Sequence, residues 1–136
     1  MLEACKAAGV QRLCITSSTV AIYEQEAAVA PDVFTEKDWT DVNKKGVGSY
    51  ELSKTLAERA AWEFWEKEPE ATRFGLSTVN PGAIFGPSLI GGGFTSGKII
   101  EMFMNNNFPG GCPKIMMPGV DVRNVADAHI RAIKSD

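Results

Sequence analysis

The segment 50–68, YELSKTLAERAAWEFWEKE, decides the fold. Its apolar side chains recur every three or four residues, which is the period of an α-helix that buries one side. We expect Glu58 and the other charged residues on the opposite, polar side of this helix. Ser49 is the predicted N-cap, and Pro69 is expected to stop the helix. The recurring apolar positions are Leu52, Leu56, Ala60 and Phe64.

Two short apolar runs flank this helix along the chain. Residues 13–16 precede it and end in the polar residues 17–19, and residues 74–80 follow it and end in Pro81-Gly82. Runs of this length bounded by turn residues predict buried strands. Alternation of strands and helices favours an α/β domain with a parallel sheet, in which the carboxyl ends of the strands share one edge.

The remaining segments continue this alternation. The chain begins with a predicted helix end at 2–8, and Gly9 serves as its C-terminal cap. A mostly irregular connection is expected from 20 to 49, and connections of that length are usually functional. Four further elements are expected: a helix at 96–105, a short strand at 114–117, and a strand followed by a helix at 121–134.

Composition excludes several classes of protein. The 136 residues carry a net charge of −3 with both signs interspersed, which does not favour nucleic acid or anionic membranes as partners. No apolar run reaches the length of a membrane span, and the N-terminus lacks the apolar region of a signal peptide. Three widely spaced cysteines and a lone His129 argue against a disulfide framework and a His-rich metal site. We therefore expect a cytoplasmic protein with reduced thiols.

Tyr50 and Lys54 are four residues apart at the start of the predicted helix, so they lie on one side of it. A phenol is a poor proton donor at neutral pH, but a nearby ammonium group favours the phenolate form. The pair can therefore serve as a general acid in the reduction of a carbonyl. A tyrosine and a lysine at this spacing also occur by chance in roughly one such chain in ten.

Small and polar residues follow both predicted strands. The hydroxyl of Ser17 or Ser18 can donate a hydrogen bond to a substrate carbonyl and hold it against Tyr50. Gly82 lacks a side chain, which allows the backbone to approach a flat ligand. Each segment taken alone is equally compatible with an ordinary turn.

The order and spacing of these motifs resemble the extended short-chain dehydrogenase/reductase superfamily. The motifs are Thr16-Ser17-Ser18, Tyr50-x-x-x-Lys54 and Asn80-Pro81-Gly82-x-x-x-Gly86-Pro87. Segments 36–41, 50–58 and 120–129 are similar to those of dihydroflavonol reductases, cinnamoyl-CoA reductases and methylglyoxal or aldehyde reductases of the yeast type. The resemblance covers nearly the whole chain. It implies a partial Rossmann-type, doubly wound parallel sheet that lacks its first strands, with a small C-terminal substrate-side region.

The resemblance also implies roles for individual residues. Ser18, in preference to Ser17, corresponds to the serine that holds the carbonyl, and Tyr50 corresponds to the proton donor. Lys54 corresponds to the lysine that assists the tyrosine and bonds the nicotinamide ribose. The implied activity is reduction of a ketone or aldehyde to an alcohol with NADPH, NADH being the second choice. Further residues implied to contact the cofactor are Pro81, Gly82 and Ala83 at its nicotinamide end and Ser96 at its phosphates.

Two other polar residues are expected to be structural. We expect His129 to have a structural role, packed in the fold or capping a helix, rather than a catalytic one. Arg123 lies where related sugar-nucleotide enzymes use an arginine for substrate, but an ion pair with Asp121 or Asp127 is favoured.

The sequence lacks the glycine-rich fingerprint that such enzymes carry after their first strand. The glycines within 91–97 do not follow a strand-to-helix start, and we predict a substrate-side loop there. We therefore hypothesise that the chain is a piece of a longer protein, which is a monomer or homodimer. Residues 1–90 would form the back half of a Rossmann-type NAD(P)-binding domain with the catalytic residues, and 91–136 the substrate-side segment and closing helix.

Two alternatives to the reductase stay open. A nucleotide-sugar epimerase or dehydratase would share Ser18, Tyr50 and Lys54, although the residues at 36–39 and 53–58 favour the reductase. A cofactor-free binding module or an inactive fragment would explain the absent nucleotide half. The small-molecule carbonyl substrate itself cannot be read from the sequence, because the loops expected to set specificity vary freely.

Overall fold

The structure is a computed structural model that describes residues 1–89, 91, 95–112, 114 and 117–135. Its helices and strands alternate along the chain, with short 3-10 turns at Thr19–Ala21 and Glu70–Thr72. In chain order they are α1 (Leu2–Ala7), β1 (Arg12–Thr16), α2 (Ser49–Lys67), β2 (Gly75–Val79), β3 (Ala83–Phe85), α3 (Thr95–Met104), β4 (Gly119–Asp121) and α4 (Val122–Lys134).

The described strands form two parallel pairs. β1 pairs with β2, with Arg12 opposite Gly75 at one end and Thr16 opposite Val79 at the other. β3 pairs with β4 in the same parallel sense. The α/β class with parallel strands is therefore confirmed, but the strands form two short ladders rather than one continuous sheet. The sequence does not predict β3, because three residues are too few to display a period of two.

The ends of the first two helices follow backbone geometry. Gly9 has a positive φ of 66° directly after α1, and its N–H donates to the carbonyl of Lys6 at 3.1 Å, as a glycine cap does. The predicted cap of α2 is wrong. Ser49 is the first helical residue and Gly48 is the N-cap, without a side-chain bond. The carbonyl of the extended Gly48 accepts the first helical bond from Leu52 at 3.0 Å, and a Cβ at Gly48 would strike the Glu51 carboxylate.

The buried side of α2 matches its predicted apolar side only in part: Ala61, Phe64 and Trp65 contact the core, as their apolar pattern predicts. Thr55, Glu58 and Ala61 are buried, whereas Leu56 is 49% exposed. Ala61 packs with Phe74 and Leu76 in the core between α2 and the β1–β2 pair; the partly buried neighbours are Leu2, Leu13, Ile15, Trp62, Phe64 and Trp65. Of the residues predicted on the polar side, Glu58 is buried and accepts a hydrogen bond from Asn80, directly after β2, whereas Glu63 stays exposed.

Helix α4 closes the described fold by packing on both strand pairs. Asp121 caps its N-terminus by accepting a bond from the backbone N–H of Arg123 at 2.8 Å. The strand predicted at 114–117 includes residues 115 and 116, which lie outside the described residues, as do residues 92–94 of the predicted loop. Residues 95–97 of that loop belong to α3 instead. Among the described helices, none has the length and apolar composition needed to cross a bilayer.

Candidate active site

A pocket of about 560 Å³ lies where β1 ends and α2 begins. Ser18 and Tyr50 both line it, so the structure brings the predicted serine and tyrosine to one cavity. Three further residues predicted to contact the cofactor also line this pocket, namely Gly82, Ala83 and Ser96. Lys54 and Pro81 do not line it; Lys54 donates to the carbonyl of Thr16, and the carbonyl of Pro81 accepts from the hydroxyl of Ser18.

Ser18 follows β1 in an extended conformation and caps the 3-10 turn after it. Its hydroxyl is 3.4 Å from the carbonyl of Pro81 and 3.4 Å from the N–H of Val20. Both bonds are long and therefore weak, so the hydroxyl can turn to a ligand in the pocket. The neighbouring Ser17 is also buried, does not line the pocket, and has no hydrogen-bond partner for its Oγ among the described residues.

Tyr50 lies in the first turn of α2 and is 55% exposed at the pocket. Lys54 follows one helical turn later, so the two side chains leave the helix on one side. The Lys54 ammonium donates to the carbonyl of Thr16 at 3.2 Å. This bond holds the ammonium at the carboxyl end of β1 and leaves two of its three N–H donors for other partners.

Gly82 joins the two strand pairs at the pocket wall. A Cβ at this position would strike the backbone carbonyl of Pro118. That carbonyl accepts a bond from the N–H of Ala83 at 2.8 Å. The missing side chain therefore allows the segment before β4 to reach β3.

Thr40 supports the loop that follows Ser18. It is fully buried, and its hydroxyl donates to the carbonyl of Val20 at 2.6 Å and accepts from the N–H of Glu24 at 3.0 Å. Arg59 of α2 donates to the carbonyl of Thr40 at 3.2 Å and lies over the Trp39 ring, 5.2 Å from its centre. Sequence reasoning missed Thr40, although its neighbour Trp39 belongs to a segment that resembles reductases.

Tyr23 is a second phenol on the pocket wall that sequence reasoning missed. Burial raises the pKa of Tyr23, and the negative charges of Glu24 and Glu51 raise it further. Its hydroxyl therefore stays protonated at neutral pH and offers a hydrogen-bond donor to a ligand. A lone tyrosine in an irregular segment has no period that would have revealed this position.

A second cavity, of about 380 Å³, adjoins the first and shares Thr95 and Ser96 with it. Its other walls are largely apolar and come from β3, the residues after it and α4; they include Ile84, Phe85, Leu89 and Val122. The two cavities together extend the site from Ser18 along β3 to α4.

His129 and Arg123 have the structural contacts predicted for them. His129 Nδ1 lies 2.8 Å from the carbonyl of Val125, which can only accept, so Nδ1 carries the proton and donates. Nε2 then accepts from the hydroxyl of Thr16 at 2.7 Å. Arg123 forms an ion pair with Asp121 at 2.6 Å. Neither side chain lines the pocket.

Parallel strands with a serine and a tyrosine at one pocket beside their carboxyl ends are the arrangement of a Rossmann-type α/β domain, whose ligands bind at the strand ends. The chain belongs to the 3-beta hydroxysteroid dehydrogenase/isomerase family, whose model matches residues 1–135. This membership confirms the resemblance to extended short-chain dehydrogenases/reductases.

Curated relatives come from the expected reductase branch. The chain is 30% identical to the NADPH-dependent methylglyoxal reductase GRE2 of Saccharomyces cerevisiae over 92% of its own length and 40% of the relative's. It is 32% identical to the cinnamoyl-CoA reductase CAD2 of Medicago truncatula, over 99% of the chain and 41% of that protein. The chain thus spans about two fifths of the length of these relatives.

A solved structure supports the fold. Gre2 of Candida albicans, crystallised in complex with NADPH, superimposes with a TM-score of 0.72 and 34% identity. The match covers 99% of the chain and 44% of Gre2. The prediction of a partial Rossmann-type domain is therefore confirmed.

Proposed function

We propose that this chain supplies the catalytic residues of an NADPH-dependent reductase that converts a ketone or aldehyde to an alcohol. The observation that carries the proposal is the common pocket of Ser18 and Tyr50, with Lys54 anchored at the end of β1 behind it. The reductase names of relatives that match nearly the whole chain support the same reaction class.

Each of the three side chains has a distinct task in this reaction. Ser18 donates a hydrogen bond to the substrate carbonyl oxygen and orients it. Tyr50 donates its phenolic proton to the same oxygen, which becomes the alcohol hydroxyl. The positive charge of Lys54 stabilises the phenolate that remains. NADPH, when bound, supplies the hydride that the carbonyl carbon receives.

The residues present fit the nicotinamide end of this cofactor. Gly82 and Ala83 line the same pocket as Ser18 and Tyr50, as the resemblance implies for residues at the nicotinamide ring. Ser96 lies in the first turn of α3, where a hydroxyl and backbone N–H groups favour a phosphate. NADPH is preferred over NADH because GRE2 is NADPH-dependent and Candida albicans Gre2 is crystallised with NADPH.

The whole enzyme would need residues that this chain does not contain. We propose that residues 1–90 form the back half of a nucleotide-binding domain and residues 91–136 the substrate-side segment and closing helix. The partial coverage of the relatives supports this division. A cytoplasmic location and a monomeric or homodimeric state stay predictions.

Replacing Tyr50 by Phe tests the reaction. In the protein that joins this chain to its nucleotide-binding half, we expect kcat to fall about 100-fold to 10,000-fold, because a general acid contributes that much. The affinity for NADPH, measured by fluorescence titration, should not change. Full turnover by the Tyr50→Phe protein would remove the phenol from the mechanism.

Two neighbouring serines provide a matched control. Ser18→Ala should lower kcat, because it removes the donor to the carbonyl. Ser17→Ala should not, because that side chain does not line the pocket. A larger loss of kcat in Ser17→Ala would mean that the wrong serine has been chosen.

A substrate panel separates the epimerase alternative. A reductase should consume NADPH with aromatic or aliphatic aldehydes and leave UDP-glucose unchanged. Interconversion of the sugar nucleotide without net consumption of cofactor would instead support the epimerase.

A further inference from the structure

Glu58 is a buried carboxylate on the helix that carries Tyr50. It lies eight residues after Tyr50 and is only 7% exposed. A buried charge is costly unless it is hydrogen-bonded or paired. The ion pairs found among the described residues do not include Glu58. Its oxygens instead accept bonds from Asn80 Nδ2 at 2.8 Å and, more weakly, from Trp62 Nε1 at 3.5 Å.

Asn80 bridges Glu58 and the main chain of Ser18 through hydrogen bonds. Its Nδ2 donates to Glu58 and also to the carbonyl oxygen of Ser18, at 3.2 Å. Both partners are acceptors, so the amide nitrogen rather than the amide oxygen must face them. Each of its two hydrogens then has one partner, which leaves the amide a single orientation.

The three linked residues come from three of the segments that surround the pocket. Glu58 belongs to α2, which carries Tyr50, and Asn80 begins the segment that leads from β2 to Gly82. Lys54, one turn before Glu58, holds the carbonyl of Thr16. Two consecutive turns of α2 therefore attach to the main chain at the end of β1, directly or through Asn80.

We propose that Glu58 is a positioning residue that acts through Asn80 to hold Ser18 opposite Tyr50. The inference rests on the proposed reductase function. A carboxylate suits this task because charge-assisted hydrogen bonds are shorter and stronger than those between neutral groups. Without it, the Asn80 amide is free to rotate, and the Ser18 main chain loses one of its supports.

The test compares kcat, KM for the carbonyl substrate and NADPH affinity in the whole enzyme. We expect Glu58→Ala to lower kcat about 10-fold to 100-fold, the cost of a small misplacement near the reacting atoms. Glu58→Gln should recover part of this loss, because its carbonyl oxygen can still accept from Asn80. NADPH affinity should stay unchanged in both. Glu63→Gln is the matched control, since Glu63 lies on the same helix with a side chain 68% exposed.

A double mutant separates positioning from independent contributions. Asn80→Ala and the combined Glu58→Ala/Asn80→Ala change should show similar kcat, because each breaks the same link. Losses that multiply in the double mutant would overturn the proposal. A wild-type kcat in a folded Glu58→Ala protein would also overturn it. If Glu58→Ala does not fold, a wild-type kcat in both single variants, Glu58→Gln and Asn80→Ala, would do so instead.

A structural readout keeps this inference separable from the reductase function. Nuclear magnetic resonance should show the Asn80 side-chain amide and the Val20 backbone amide shifting in Glu58→Gln but not in Glu63→Gln. Unchanged resonances in Glu58→Gln would overturn the link itself. A wild-type enzyme without carbonyl turnover would instead contradict the proposed function, whatever the Asn80 and Val20 amide resonances show.

Discussion

Asp121 stabilises the start of α4 in two ways. Its carboxylate caps the helix through the backbone N–H of Arg123 and pairs with the guanidinium of the same residue. These bonds to Arg123 lower the pKa of Asp121 to about 2. The folded protein therefore favours the carboxylate form more than the unfolded chain does, whose aspartates titrate near ~3.9.

This shift predicts a pH-dependent contribution to stability. Because the folded pKa is the lower one, the contribution is complete above about pH 4 and is lost as the pH falls towards 2. Asp121→Asn keeps a capping oxygen but removes the charge. We expect the wild type to exceed this variant in free energy of unfolding at pH 6, and the difference to shrink below pH 4. A difference that does not vary between pH 3 and 7 would contradict the role of the charge.

At the scale of the element, α2 places Lys54, Glu58 and Ala61 together on one side. Lys54 and Glu58 contact the strand ends, and Ala61 contacts the core. Trp65 donates to the carbonyl of Phe74 at 2.6 Å and fixes the far end of the helix on β2. The rotation of α2 about its axis therefore sets the direction in which Tyr50 leaves it.

Two adjacent alanines test this rotation. Ala61 is buried at 2% exposure, so Ala61→Leu should lower the free energy of unfolding by about 1–3 kcal/mol through overpacking. Ala60 is exposed, so Ala60→Leu should change it by less than about 0.5 kcal/mol. Urea unfolding of both variants measures the difference. The reverse order of the two effects would mean that the apolar stripe of Leu56 and Ala60 is the buried one.

At the scale of the molecule, the proposed function gives this chain only one side of a nucleotide site. The described strands present Ser18, Gly82 and Ala83 at the pocket, but the chain has no glycine-rich fingerprint for a pyrophosphate. Its relatives are about two and a half times as long, since it spans 40% of GRE2. Affinity for the dinucleotide should therefore depend on residues outside these 136.

This division predicts a difference in cofactor affinity. The 136-residue chain should bind NADPH at least about 100-fold more weakly than the longer protein, or about 2.7 kcal/mol, because it lacks the pyrophosphate contacts. Fluorescence titration of NADPH against both proteins measures this. Micromolar binding by the 136-residue chain would show that these contacts are not needed, and it would also exclude a cofactor-free module.

The sequence by itself determined the elements and the motif residues of this protein. A helix of 3.6-residue period, two apolar runs and the glycine after α1 identify their structures locally, because propensity and periodicity act over a few residues. The order of Ser18, Tyr50, Lys54 and Gly82 along the chain was enough to indicate the superfamily. The short β3 and the cap at Gly48 were not predicted, since neither depends on a side-chain pattern.

Only the tertiary structure decided how far Leu56 is exposed on α2 and which partners Glu58 and Thr40 have. A charged residue on a helix is expected in solvent, and its burial becomes favourable only when a distant Asn80 supplies a donor. Such pairs join residues 22 positions apart. No local pattern reports them, because they form only once the strands and helices have packed.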